Sequence, residues 1–417
     1  MVTKEKDDLQ EQEDKIVVGL DIGTTKICAV AGKKERNGFT QIIGIGVAPS
    51  EGLKKGIITD IGAAANSIRR AVTDCEQKSG TEIRNVYVGI AGQHLQGRNL
   101  EGVVAVKGDT ISHSDVERVI ESARAFNNDG KEIIHILSQE YIVDGEDGVQ
   151  DPIGMAGKRL QARVHIIFGS VTAITNVYKS CSKADLNVER LVVEPLASAF
   201  SVLSKEERRL GVMLLDIGGG TTDIVVYQNG SIAHTIILPI GGDHITNDIA
   251  IGLRTSHDDA KKFKHEKALA REKELQFGDT INVPGISGRA ERICERSVLV
   301  QIVEARFREI FEMVSREIKE RGFESTCNAG IVLTGGSSLL NGLDLLADEV
   351  FNMPVRIAYP MNTTGLKEFV SSPIFSTAVG LINYGLDDQS ILDEQMTENQ
   401  SGVKTGFSLM NFFKKFL

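Results

Sequence analysis

Asp216-Ile-Gly-Gly-Gly-Thr-Thr-Asp223 lies between two apolar runs, Val212–Leu215 and Ile224–Tyr227, and its reading decides the fold. Apolar, β-branched runs flanking a Gly/Thr turn specify a β-hairpin. At Gly218, Gly219 and Gly220 backbone N–H groups converge with no Cβ between them, which makes a nest suited to a phosphate. The hydroxyls of Thr221 and Thr222 add donors, and Asp216 at the strand end can hold the water shell of Mg2+. The device recurs in Ile16–Val30, where Asp21-Ile-Gly23-Thr24-Thr25-Lys26 places Lys26 to meet a phosphate as a point charge. Asp21 and Asp216 are 195 residues apart, so the duplication is of whole lobes. Two facing hairpins would clamp one nucleotide's phosphate tail between those lobes, with Asp21 and Asp216 reaching Mg2+ through water. A single turn of this kind is ordinarily a hairpin without a ligand; the pair carries the inference.

Two more segments extend the pattern. Val332-Leu-Thr-Gly-Gly-Ser-Ser338 reads as strand, turn and helix. Its Gly335, Gly336 and Ser337 would let backbone approach a nucleoside closely, although any tight strand-to-helix connection reads the same way. Val193-Glu194-Pro195-Leu-Ala197 ends a strand with a carboxylate just before a helix. Glu194 is a candidate for orienting an attacking water, with helix capping as the competing role, and Asp216 is the second candidate catalytic group.

The totals exclude several classes. A net charge of −10 and no basic run argue against a nucleic-acid surface. Five scattered cysteines form no CxxC pair and read as reduced thiols of a cytoplasmic protein. The charged N-terminal stretch lacks the apolar core of a secretory signal, and no run is long enough to span a membrane. No GxxxxGK[ST] is present, and the histidines have no metal-ligand spacing. Ser180-Cys-Ser-Lys183 and Lys404-Thr-Gly406 imitate penicillin-binding motifs, but their SDN partner is missing.

Along the chain, another apolar segment follows the first hairpin at Gln41–Val47, and a helix is expected from Asp60 to about Gln77. A small α/β insert over 84–169 would hold strands at Val86–Ala91, Ile133–Leu137 and Leu160–Phe168, and a helix opened by a Ser114-x-x-Glu117 capping box. A helix (Val171–Ala184) and a strand (Val188–Val193) complete the first lobe. Residues 242–323 read as helical and strongly charged, with a long amphipathic helix through Val298–Glu320.

The two phosphate hairpins, the Glu194-Pro-Leu-Ala-Ser-Ala199 connection and the Gly335 turn together resemble the actin/heat-shock-chaperone/sugar-kinase ATPase superfamily. The insert beginning VYVGIAG (Val86–Gly92), the segment GGDHITNDIAIGL (Gly241–Leu253) and the C-terminal segment resemble the FtsA family of bacterial cell-division proteins. The resemblance covers Lys15–Leu417. It implies a two-lobed α/β actin-like ATPase fold, divided as subdomain 1A (15–83 and 170–210), insert 1C (84–169), 2A (211–241 and 324–385) and 2B (242–323). Around these lie an N-terminal tail (1–14), a flexible linker (386–404) and an amphipathic membrane-targeting helix (405–417).

The resemblance also implies ATP binding with Mg2+ and with slow or no hydrolysis, a nucleoside contact from Lys264, and self-assembly through the lobes and the insert. It implies tethering of the tubulin-like protein FtsZ to the cytoplasmic face of the inner membrane at the division site, and recruitment of later division proteins. Relatives commonly carry an acidic residue where this chain has Lys261, which removes a ribose contact from that helix. Subdomain 2B would bind the acidic-apolar tail of FtsZ, with Arg296, Arg306 and Glu309 as contacts; a solvated charged face is the competing reading. A pilus-assembly ATPase or a small-molecule kinase of the superfamily is the alternative. No sugar-binding catalytic Asp is evident for the kinase, no peptide-binding domain follows the lobes as in the chaperones, and rod-shape homologues lack the insert.

The last residues, NFFKKFL (Asn411–Leu417), read as an interfacial anchor. At about 100° per residue, Leu409, Met410, Phe412, Phe413, Phe416 and Leu417 fall in one arc of about 160°, with Lys414 and Lys415 opposite. Phe407 lies off that arc at its N-terminal end and is counted with the membrane contacts. The segment would lie on anionic lipid, phenylalanines in the acyl boundary and lysines among the headgroups. An internal docking helix is the competing role, and the polar linker favours reach away from the body.

Overall fold

The computed structural model describes residues 15–125, 130–276 and 278–387. The N-terminal tail, nearly all of the linker and the C-terminal amphipathic segment read from the sequence lie outside these residues.

The first lobe is built on a six-stranded sheet. Its order is Asn187–Val193, Asn85–Ile90, Val17–Ile22, Lys26–Lys34, Thr40–Pro49 and Thr363–Gly365. The helix Ile61–Ser79 packs on this sheet. Its N-cap Asp60 accepts from the backbone of Gly62 and Ala63, and Gly80 closes it in the left-handed conformation. Close approach explains two small residues on the sheet: a Cβ at Gly44 or Gly46 would strike the helix backbone at Cys75 or Ala71.

The second lobe repeats the motif as a five-stranded sheet, Ser231–Leu238, Thr222–Gln228, Val212–Ile217, Ile331–Thr334 and Val355–Ile357. The helix Arg296–Glu320 supplies the largest buried side chains of its core, Phe307 and Phe311. The two hairpins keep the same register, Asp21 opposite Cys28 and Asp216 opposite Asp223.

Four sequence readings are corrected. The strand read as opening the insert, Val86–Ala91, is Asn85–Ile90 and belongs to the first lobe, where it pairs in parallel with both Val17–Ile22 and Asn187–Val193. The insert's own sheet begins at Gln96 and runs Gln96–Ala105, Arg159–Ser170, Lys131–Val143, Glu146–Val149. The helix within it is capped by Ser112 rather than Ser114, because the Asp115 carboxylate accepts from Ser112 N at 2.9 Å and Ser112 Oγ at 2.6 Å. The stretch read as helical from 242 to 323 contains a hairpin, Thr280–Val283 with Arg292–Glu295.

The chain end assigned to the second lobe instead returns to the first. Thr363–Gly365 pairs with Thr40–Ile42, and the helix over 376–387, which takes in the first two residues read as linker, packs on the first-lobe core through Ala378, Val379, Leu381 and Ile382. The glycines make that packing close: a Cβ at Gly19 would strike Ala378 O, and one at Gly380 would strike Ala197 O.

The insert hangs from the first lobe yet is bonded to the second. Asn99 Nδ2 donates to Ala233 O at 2.9 Å and Gln139 Nε2 to Ile232 O at 2.8 Å, both carbonyls of the edge strand Ser231–Leu238. His165, fully buried, bonds Asn99 Oδ1 at 2.6 Å and Thr235 Oγ1 at 2.9 Å. Burial, with His234 and His135 nearby, lowers the His165 pKa to about 3. A neutral folded form with an unfolded value near 6.5 gives stability that is complete above about pH 6.5 and is lost as pH falls toward about 3. Buried carboxylates in the cleft run the other way, so the comparison of two proteins isolates the histidine. The pH 7.5 to 5 loss in unfolding free energy of His165→Asn should be smaller than that of the wild type by about 2 kcal/mol. Equal losses in denaturant titrations at the two pH values would contradict this.

Among the described residues no helix is long and apolar enough to cross a membrane. All five cysteines are free, and burial pushes the Cys28, Cys75 and Cys181 thiols up to about 12, as suits packing groups.

Candidate nucleotide-binding cleft

The two hairpin turns meet across a cleft of about 450 Å³. Of the predicted site residues, Asp21, Gly23, Thr24, Thr25, Lys26, Glu194, Asp216, Gly218, Gly219, Gly220, Thr221, Lys264, Gly335, Gly336 and Ser337 all line it. Thr222 does not: it is buried, and its hydroxyl donates to Ile240 O at 2.8 Å, so its role is to hold the hairpin to the following strand end. The lobes are close at the turns. A Cβ on Gly219 would collide with Thr25 Oγ1, and one on Gly220 would lie 2.6 Å from Thr24 Oγ1.

The second turn is fixed by its own backbone. Gly218 N donates to Thr221 O at 3.0 Å, and the helix Gly242–Gly252 is seated on it through Gly242 N to Gly218 O at 2.9 Å and Asp243 N to Gly219 O at 2.8 Å. Ser337 Oγ donates to Gly218 O at 3.1 Å and Lys264 Nζ to Gly242 O at 2.8 Å, which brings the third segment and the helix His257–Glu266 to the same place. Burial lowers the Lys264 pKa to about 8. Lys261 and His265 of the same helix also line the cleft. Gly335 has a second reason to be glycine besides its φ of 83°: a Cβ there would collide with Asp216 Oδ1.

Acidic groups crowd the cleft: Asp21, Asp216 and Glu194 line it, and Asp223 lies opposite Asp216 in the hairpin without lining it. Asp216, Asp21 and Asp223 are buried, with Glu194 largely so. Lys26 Nζ lies 3.2 Å from Asp21 Oδ2; burial alone would lower its pKa, but the neighbouring carboxylate raises it. Burial raises Asp216 to about 6 and Asp223, next to Asp216, to about 8. Burial and then the Asp21 charge raise the Glu194 pKa well above the ordinary carboxylate value. Asp223 accepts from Thr221 Oγ1 at 2.9 Å through Oδ2, while its Oδ1 is buried with no hydrogen-bond partner. Hard oxygens in excess of cations, one of them orphaned, beside a glycine cradle a Cβ would fill, fit a hydrated Mg2+ and a phosphate chain. Sequence reading missed Asp223, although a second acid at the far end of the DxGGGTTD turn was visible, and it missed Asp243 and His265 as cleft residues; Lys261, read from the sequence as costing a ribose contact, does line the cleft.

The predicted partner residues all lie on the helix Arg296–Glu320. Arg306 forms an ion pair with Asp248, Nη2 to Oδ1 at 3.1 Å, and bonds Glu309; Arg296 pairs with Asp279 at 3.0 Å. Each therefore has an internal ion pair. Arg316 is exposed on the same helix.

Comparison with known proteins decides the family. The FtsA protein of Pseudomonas aeruginosa is 43% identical over 380 residues, covering 91% of both chains. The chain belongs to the FtsA family of cell division proteins. The family profile described as cell division protein FtsA matches residues 213–380, and that of the SHS2 domain inserted in FtsA matches 92–168. Solved structures agree on an actin-like fold. A type IV pilus biogenesis complex, PilM–PilN, aligns with TM-score 0.65 at 16% identity over 89% of this chain and 98% of that one. MreB5 of Spiroplasma citri bound to AMPPNP aligns with TM-score 0.52 at 15% identity over 94% and 100%. At such identities these likenesses concern fold alone. The FtsA resemblance thus holds, and the pilus alternative keeps only the shared architecture.

Proposed function

We propose that this FtsA-family chain is an ATP-binding, actin-like scaffold that polymerises, binds FtsZ and ties it to the cytoplasmic face of the inner membrane through its C-terminal segment. The convergence of both phosphate hairpins and the Gly335 turn on one cleft carries the nucleotide part. The nests at 23–25 and 218–221 and Lys26 would hold the phosphates, Lys264 and the 335–337 turn the nucleoside, and Asp21 and Asp216 the waters of Mg2+. Mg2+ when bound supplies charge that offsets the carboxylate cluster. Burial and the neighbouring carboxylates raise the proton affinity of Glu194, which disfavours it as the base for an attacking water and is in keeping with slow or absent hydrolysis. Phosphate transfer to a small molecule would count against the scaffold.

Co-sedimentation with FtsZ on anionic liposomes, with and without ATP, tests the whole reading: FtsZ should pellet with vesicles only when this protein is present. For the FtsZ contact, Arg316→Glu is the clean variant because the residue is exposed; it should weaken binding of an FtsZ tail peptide about tenfold. Arg306→Glu should weaken binding too, but also lower the melting temperature by breaking the Asp248 pair. Unchanged peptide affinity in both would remove this helix from the interface.

A further inference from the structure

We propose that Ser198 and Thr377 are positioning residues for Asp216, two hydroxyls that fix one oxygen of its carboxylate so that the other faces the cleft in a single orientation for the water shell of a divalent cation. The inference rests on the Mg2+-nucleotide reading above and adds to it two residues from outside both phosphate hairpins. Ser198 Oγ donates to Asp216 Oδ2 at 2.5 Å, and Thr377 Oγ1 lies 3.2 Å from the same oxygen. The two hydroxyls are 3.0 Å apart. Each has one proton. With that of Ser198 committed to the carboxylate, Thr377 donates to Asp216 or to the Ser198 oxygen, and either arrangement ties all three groups together.

Three chain segments meet here: the helix Glu194–Val202 of the first lobe, the strand Val212–Ile217 of the second, and the helix over 376–387. Both residues are buried, a setting that strengthens their hydrogen bonds to Oδ2. Oδ1 lies against Gly335, where any side chain would collide with it. The carboxylate is thus held from one side by hydroxyls and bounded on the other by a glycine. Hydrated Mg2+ demands near-octahedral geometry, so a carboxylate free to turn about its last torsion would order the shell poorly. The helices carrying the hydroxyls have their own ties: Ser201 Oγ donates to Ser376 O at 2.6 Å, and Thr334 Oγ1 bonds Ser376 Oγ at 2.6 Å. Removing one hydroxyl therefore leaves the two helices joined.

The test uses the full chain and a fluorescent ATP analogue, titrated in Mg2+ and in EDTA, with melting temperature recorded for each protein. The variants are Ser198→Ala, Thr377→Val, Thr377→Ser and Asp216→Ala. The wild type should bind more tightly in Mg2+. Ser198→Ala and Thr377→Val should each lose about tenfold of that gain, with affinity in EDTA within about twofold of wild type. Thr377→Ser, which keeps the hydroxyl, should restore the gain; a merely structural role for Thr377 would not give this split between Mg2+ and EDTA. If the hydroxyl variants keep the full Mg2+ gain while Asp216→Ala loses it, the two residues only fill space between the helices and the proposal fails. An Asp216→Ala protein with an intact gain would overturn it as well. A wild type that binds no ATP in either buffer would instead overturn the nucleotide reading itself. Should Thr377→Val fail to fold, Ser198→Ala, which removes a single atom, decides the question.

Discussion

Gly219→Val is expected to remove ATP binding while leaving the second lobe folded. The atoms that a β carbon at 219 would meet are Thr25 Oγ1 across the cleft and Asp243 Oδ2 at 3.4 Å; none belongs to the strands or backbone of its own hairpin. The isopropyl group would therefore project into the space between the turns, where the phosphates are proposed to lie, and would hold the lobes apart. Overpacking of about 3 kcal/mol corresponds to a loss of roughly 100-fold in affinity. Gly241 makes the contrast: a β carbon there would sit 2.7 to 2.8 Å from the carbonyls of Gly218, Gly219 and Thr221. Gly241→Val should accordingly damage the fold of the turn. Calorimetric titration with ATP, beside the melting curve of each variant, separates the two cases. Wild-type affinity in Gly219→Val would place the phosphates elsewhere.

Changing Phe412 and Phe413 to Glu is expected to release the protein from anionic vesicles while ATP binding survives. Each phenylalanine inserted at the acyl boundary contributes about 2 kcal/mol, so losing both weakens membrane binding by about a thousandfold, and the new carboxylates are repelled by anionic headgroups. The segment Thr405–Leu417 would be at most about 20 Å long as a helix, too short to cross a bilayer. A helix of that length is marginal in water and should form only on lipid, which circular dichroism of the peptide with and without vesicles would show. Vesicle flotation of the variant and of a protein ending at Lys404 is the direct measurement. If either still floats as a monomer, the anchor lies elsewhere in the chain.

The parts of the fold that announced themselves were those whose local chemistry is unambiguous. Glycines and threonines between β-branched runs gave both hairpins, and an apolar stripe gave the long helix, which begins at Arg296 rather than Val298. Local chemistry was silent or misleading where distant segments decide. Ser112 and Ser114 both precede an acid by three residues; only the first is used, because Asp115 gathers Ser112 N and Oγ. Nothing around Thr363 advertises a strand, since its partner is Thr40 at the far edge of the other lobe's sheet. Thr222 looked equal to Thr221, and both are buried, but only Thr221 lines the cleft, while the Thr222 hydroxyl is spent on Ile240 O. Ser198 and Thr377 are ordinary helix residues until 179 positions of chain fold back to place them 3.0 Å apart.

The amides of Asn99 and Gln139 on the strand Ser231–Leu238 also bear on whether the insert is a detachable module. That strand ends the second lobe's sheet, and an uncovered edge is a template for pairing with another chain. Excising residues 96–170 would strip the cover as well as the module, so a truncated protein would be sticky for reasons unrelated to whatever the insert does. Loss of assembly in such a deletion would confound missing contacts with gained aggregation. Point changes on the insert's exposed surface, with Asn99, Gln139 and His165 kept, leave the edge sheathed and isolate what the insert itself contributes.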